Sequence, residues 1–263
     1  MSAAHAGVRL ERDGDVATLI VDRPHARNAL APVTMQALEA AAAELAREMT
    51  GELGPRVVIV TGGHGHFIAG GDLRALAAHH TEADGVFVAE TMQRALATLA
   101  CLPVPVIAAV DGGAVGGGVE VLLACDLVVA AADARFALRQ IQMGVPTAWG
   151  GARRLAARVG RSRALHLLWT GRWLTAPDAQ AIGLVDVVAP AGVGARPAAL
   201  KLAREIAGHP AAVLATHKRL IDDPTADETA LFAAAWAAEP HVRAVRAWLD
   251  HRATSRSTKE ISE

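Results

Sequence analysis

Val104 to Asp126 reads VPVIAAVDGGAVGGGVEVLLACD. Its apolar opening, Val104 to Val110, carries no polar alternation, which is the pattern of a strand covered on both faces in a parallel sheet. Asp111-Gly112 turns the chain, Gly116-Gly117-Gly118 follows, and Val119 to Cys125 reads as a helix. Three glycines ahead of a helix let the backbone approach a ligand closely, with N–H groups free at the positive end of the helix dipole. Such a site suits a negatively charged oxygen. Glu120 is the only charged residue between Asp111 and Asp126, and its neighbours Val119, Val121, Leu122 and Leu123 are apolar. Desolvation there raises a carboxyl pKa and makes Glu120 a candidate acid or base. A first-turn glutamate that only complements the dipole is the competing reading, and this stretch alone does not separate the two.

Outward from this stretch the same grammar repeats. Val57 to Leu73 (VVIVTGGHGHFIAGGDL) is again a buried strand leading into glycines, with a second close-approach loop at Ala69-Gly70-Gly71-Asp72. Leu127 to Ala131 supplies a third apolar run, and helical segments at Thr91 to Ala100 and Val119 to Cys125 lie between the strands. Strand-helix alternation of this kind predicts an α/β layer architecture. Ahead of it, Val8 to Glu11 and Val16 to Val21 flank Asp13-Gly14, a hairpin signal, and Pro32 to Arg47 has helical spacing. Beyond Gly151 the chain reads as successive helices, the last from Glu228 to His251 with a break at Pro240. Its stripe of Leu231, Phe232, Trp236, Val242, Val245 and Trp248 is expected in a core or a subunit interface. A core over residues 1–190 and a helical region over 191–263 are the expected divisions.

Composition narrows the function classes. The chain has 263 residues, 52% of them hydrophobic, and a formal net charge of -1. That balance argues against a nucleic-acid partner bound through a basic face and against a polybasic membrane anchor, and it favours self-association. Cys101 and Cys125 lie in apolar stretches without a second cysteine or histidine at ligand spacing, so both are expected as buried free thiols and no metal site is expected. No apolar run reaches the roughly 20 residues of a bilayer span, and Met1 to Gly7 has no apolar signal region, so a cytoplasmic setting is expected. The glycines fit neither a phosphate loop, which needs a following Lys-Ser or Lys-Thr, nor a dinucleotide fold, which needs a placed ribose-binding acid.

Together these stretches resemble the crotonase, or enoyl-CoA hydratase/isomerase, superfamily. The residues that carry the resemblance are Arg23-Pro24 with Asn28-Ala29-Leu30, Phe67 to Leu73, Gly116 to Asp126, Phe136 with Gly144, Pro146 and Gly150-Gly151, and Gly171 to Asp186. They follow the family's order across nearly the whole chain. The resemblance implies a crotonase-like spiral of ββα units with a C-terminal helical region that trimerises, often as a dimer of trimers. It implies an acyl-coenzyme A substrate, with coenzyme A as part of that substrate and no permanently bound cofactor. Gly71 and Gly117 fall where the family's two oxyanion-hole N–H donors sit, and Glu120 falls on a catalytic glutamate. Arg27, Ala29 and the loop Ala69, Gly70, Asp72 and Leu73 match segments lining the coenzyme A site. Asp72 and Asp126 also read as residues that tie loops together.

One position departs from the pattern. Hydratases of this family use a second glutamate, and counting four residues on from Phe136 or four back from Gly144 lands on Gln140. Glutamine hydrogen-bonds water or substrate but does not exchange a proton near neutral pH, and general acid–base catalysis is worth roughly 10²–10⁴-fold. The chain has no tyrosine, which removes family chemistry built on a phenolic hydroxyl. His66 is the loop histidine best placed to act, while His64, His79 and His80 read as exposed or capping. Three readings follow: a hydratase-like lyase on a 2-enoyl-CoA, a malonyl- or alkylmalonyl-CoA decarboxylase, and a non-catalytic binding protein. Trp149 and the Trp236 to Val245 segment are similar to the decarboxylase branch, where Glu120 would repel a substrate carboxylate unless protonated, displaced or screened, for instance by Arg139.

Overall fold

The computed structural model describes residues 6–49 and 54–260, with side chains through Asp250. β1 (Val8–Asp13) and β2 (Val16–Val21) form the expected antiparallel hairpin, turned at Gly14 with φ +56°. α1 (Pro32–Glu48) starts on a proline, whose missing N–H costs nothing in a first turn. Met35, Leu38, Ala42 and Leu45 recur on one helical face, and all are buried. β3 (Val57–Gly62), the short α2 (Leu73–Leu76) and α3 (Glu82–Ala100) follow, with a Thr81–Asp84 capping box opening α3.

β4 (Val106–Val110), β5 (Gly113–Val115), α4 (Gly117–Leu122), β6 (Leu127–Ala130) and β7 (Arg135–Ala137) then build the middle of the chain. α5 (Gly151–Val159), α6 (Arg161–Thr170), β8 (Leu174–Thr175), α7 (Ala176–Ala181), β9 (Val187–Val188) and α8 (Ala195–Ala207) follow. The main sheet has the order β1-β2-β3-β4-β6-β9 and is parallel except for the hairpin; β5, β7 and β8 make a smaller sheet. β2 and β4 are buried along their whole length, as unalternated apolar runs require. α1 and α3 pack on each other, and α8 lies on β3, β4 and β6. Ala195, Ala199, Ala203 and Ala207 form a buried stripe that lets α8 sit close to the sheet.

That stripe moves a boundary. The chain divides into compact units at Gly208 and His209 rather than at 190 and 191, because α8 belongs with the sheet. The second unit holds α9 (Ala211–Asp222), α10 (Glu228–Ala237) and α11 (Glu239–Glu260). The expected break falls at Ala238, extended at φ −76° and ψ 148°, so that Pro240 lies in the first turn of α11, where proline is tolerated. Neither α9 nor α10 buries a side chain; Phe232 and Trp236 are 61% and 59% exposed and lie on an apolar groove of about 590 Å³. The aromatic stripe is therefore not a core of the single chain. Among the described residues no helix is long and apolar enough to cross a membrane.

Candidate functional site

The two glycine loops meet backbone to backbone. α4 begins at Gly117, two residues earlier than the apolar pattern indicates, behind Gly116 at φ 54° and ψ −116°. Gly116 O accepts from the N–H groups of Val119 and Glu120, which leaves the N–H of Gly117 without a partner inside the helix. On the other loop, Phe67 N–H donates to Asp111 O at 2.8 Å, and Val115 N–H donates to Ile68 O at 3.3 Å. Leu30 N–H donates to Gly70 O at 2.7 Å and Asp72 N–H to Leu30 O at 2.9 Å, a bridge that turns the Gly71 N–H away from Leu30. A Cβ on Gly70, at φ +92°, would stand 2.8 Å from Val115 O and 3.2 Å from Gly117 N. One on Gly118 would overlap the carbonyl oxygen of Ile68. Glycine is what permits this approach.

A residue without an assigned role in the sequence holds the first loop in place. Asn28 is 0% exposed; its Oδ1 accepts from Arg23 N–H at 2.8 Å, and its Nδ2 donates to Gly63 O at 2.9 Å and His66 O at 2.8 Å. Arg27 and Asn28 both have left-handed backbones, φ 49° and 60°, so these contacts hold an uncommon conformation. Asp72 caps α2 by accepting from Arg74 and Ala75 N–H, and pairs with Arg23 at 3.0 Å; Arg23 also donates to Ala29 O. Burial pushes the Asp72 carboxyl up, but the Ala75, Arg23 and Arg74 donors outweigh it and hold the group below its ordinary value. Asp126 likewise accepts from Val106 N–H at 2.7 Å. Both aspartates tie segments together.

Glu120 is 2% exposed and lies against the α5 N-terminus. Its Oε2 accepts from Trp149 N–H at 2.8 Å and Gly151 N–H at 2.9 Å, and its Oε1 accepts from Gln140 Nε2 at 3.0 Å. Burial lifts the Glu120 carboxyl above its ordinary value, opposed by the donors of Gly151, Trp149, Gln140 and Ala148. The desolvation expected from its apolar neighbours thus wins, against several donors that the sequence does not advertise. The buried indole of Trp149 packs directly on Gly117, where a Cβ would strike its ring. This contact links the glycine loop at Gly116 to Gly118 to a residue that the sequence marked only by a likeness.

Other expected positions distribute around this centre. Arg27, His66 and Ala69 line a recess of about 380 Å³ together with Val115, Arg135 and Trp173. Ala29 is buried, whereas Leu73 is 62% exposed. Gln140, Thr147 and Trp169 border a second recess of about 380 Å³. Arg139 does not screen Glu120: its guanidinium donates to Gly171 O at 3.2 Å and stands 5.7 Å over the Trp173 ring. His64 pairs with Asp22 and His79 with Asp84, as exposed loop histidines. Cys125 is buried, but Cys101 is exposed, at the end of α3 rather than in the core.

The chain matches the family described as Enoyl-CoA hydratase/isomerase over residues 11–245. It is 34% identical over 255 residues to a 2,3-dehydroadipyl-CoA hydratase of Escherichia coli, covering 92% of this chain and 95% of the relative. It is 35% identical over 182 residues to a short-chain-enoyl-CoA hydratase of Clostridium acetobutylicum, 69% of this chain and 68% of the other. A crystal structure of an enoyl-CoA hydratase from Bacillus anthracis superposes with a TM-score of 0.85 at 26% identity, over 93% of this chain and 96% of that one.

Proposed function

The chain belongs to the enoyl-CoA hydratase/isomerase family and has its crotonase-type α/β fold, and within that family we propose that it is a hydratase-like lyase adding water to a 2-enoyl-CoA. The observation that carries the reading is a buried, proton-competent Glu120 beside two glycine loops whose Gly71 and Gly117 N–H groups are turned toward no backbone acceptor of the loops. Arg27, His66 and Arg135 around the recess at Ala69 offer cationic and hydrogen-bonding ends to the phosphates of coenzyme A.

The thioester oxygen sits between the Gly71 and Gly117 N–H groups. Water adds its oxygen to the β-carbon while the alkene pair moves toward the carbonyl, and one water proton passes to Glu120. The negative charge that gathers on the thioester oxygen is what the two N–H donors stabilise; one such donor is worth about 2.7–4 kcal/mol in comparable sites. The enolate pair then takes the proton from Glu120 at the α-carbon, which returns the carboxylate and completes the addition of one water. A single carboxylate serves both transfers, in keeping with glutamine at position 140.

The test is loss of 2-enoyl absorbance with crotonyl- to decanoyl-CoA. Turnover abolished by Glu120→Ala supports the proposal, and no turnover across that panel sinks it. The second reading, decarboxylation of a malonyl-type thioester, is favoured by one observation: it needs the two N–H donors but no second carboxylate, in keeping with glutamine at position 140. Release of carbon dioxide from malonyl- or alkylmalonyl-CoA distinguishes it.

A further inference from the structure

No acidic residue lies between Asp133 and Asp178, a span that holds eight arginines. Four are accounted for: Arg135 lines the recess at Ala69, Arg139 donates to Gly171 O, Arg154 to Trp149 O, and Arg158 to Leu184 O and Asp186. The other four, Arg153, Arg161, Arg163 and Arg172, are exposed, and among the described residues their side chains make no hydrogen bond or ion pair. Two of them meet at a recess of about 250 Å³, which Arg163, His166 and Arg172 line together with Leu167, Leu174 and Ile182. Leu167 and Leu174 are each 5% exposed, so the recess has an apolar floor beneath a cationic rim. Arg163, His166 and Leu167 share one face of α6. Arg172 and Leu174 flank Trp173, which lines the recess at Ala69 instead, the alternation of an extended segment. The segment entering β8 therefore separates the two recesses.

Asp178 is the acidic residue of this lining, and its carboxylate is already engaged. It accepts from the Thr175 hydroxyl at 2.8 Å and from the Thr175 N–H at 3.4 Å. Those bonds hold the carboxyl below its ordinary value, with a smaller pull from Arg172. We propose that the recess is a binding site for a short-chain monocarboxylate, separate from the thioester site. The two oxygens of the acid accept from the unpaired guanidinium groups of Arg163 and Arg172, and its alkyl chain lies on Leu167, Leu174 and Ile182. His166 offers a ring N–H on the same rim. Two arginines set against Asp178 leave one positive charge, which a monoanion balances and a phosphate dianion exceeds. The apolar floor favours an organic anion over a bare inorganic one. The volume lies below the roughly 300–1,000 Å³ of sites for larger ligands, which excludes a coenzyme A thioester.

Butyrate is the probe, titrated into the full chain and followed at the arginine Nε–H signals by NMR, assigned against Arg163→Gln and Arg172→Gln. Saturable shifts with one midpoint are expected at both signals. Each substitution should weaken butyrate binding by about tenfold or more, since a charge-assisted hydrogen bond is lost. Inorganic phosphate, which leaves the apolar floor uncovered, should bind about tenfold more weakly than butyrate. Arg27→Gln and Arg135→Gln change the recess at Ala69 and should leave butyrate affinity within about twofold, as distant sites do. Shifts that do not saturate, or an affinity unchanged in both Arg163→Gln and Arg172→Gln, overturn the site. Phosphate binding as tight as that of butyrate overturns the monocarboxylate class. Binding lost in Arg27→Gln or Arg135→Gln but kept in the other two variants puts the acid in the recess at Ala69 and overturns the separate site. None of these measurements needs turnover, so they decide the proposal whether or not the chain hydrates an enoyl thioester.

Discussion

A buried carboxylate such as Glu120 is a cost to the fold. Because the Glu120 pKa is raised in the folded chain, the folded state binds more protons than the unfolded one between the ordinary carboxyl value and the raised one. Stability therefore falls as pH climbs through that window, and the ionised group is a net cost above it. Glu120→Gln keeps an acceptor for the Trp149 and Gly151 N–H groups and removes the charge. We expect it to lose turnover yet melt above the wild type at neutral pH, with the difference shrinking on acidification. Thermal melts across pH decide this, and a lower melting temperature at pH 7 would contradict it. The same scale explains Gly117, whose side-chain space is taken by the Trp149 ring. Gly117→Ala should cut turnover more than a hundredfold, and Trp149→Gly in the same chain should recover part of its stability. A double-mutant cycle reads that coupling, and additive effects would refute it.

At the scale of elements, polar side chains near strand ends decide where the loops lie. Asn28 joins the segment after β2 to Gly63 and His66 in the loop after β3, and Asp72 with Arg23 fastens the start of α2 to the same segment. Asn28→Ala would leave the Gly63 and His66 carbonyls and the Arg23 N–H without that partner in a dry site. We expect a loss of about 3 kcal/mol or more in denaturant unfolding, from the penalty for unpaired buried groups. Asp126→Ala, at an exposed side chain that accepts from the Val106 N–H at the start of β4, should cost less, on the order of 1–2 kcal/mol. If the two variants unfold alike, the Asn28 network is not the fastening described. Signals for these ties were thin in the sequence, because Asn and Asp are ordinary loop residues and their partners are backbone atoms up to tens of positions away.

For the whole molecule, the unit through Gly208 has its own sheet and core, whereas α9 and α10 bury no side chain. A chain ending at Gly208 is expected to unfold cooperatively, which circular dichroism melts would check. The exposed Phe232 and Trp236 support the proposal that the full chain associates with copies of itself. Sedimentation equilibrium should then show an oligomer for the full chain that Trp236→Glu weakens, and a monomer at all concentrations would refute it.

By itself the sequence determined the alternation of strands and helices, the two glycine loops and Glu120 as the one charge in an apolar helix, because periodicity, glycine and desolvation are local properties. It also marked Gln140 as a departure from the family pattern. Only the tertiary structure decided that α8 belongs to the sheet, that Cys101 is exposed, that Trp149 covers Gly117, and that Gln140 donates to Glu120 while keeping an unpaired oxygen. These are contacts between residues far apart in the chain, fixed by how the elements pack, and no local pattern records them.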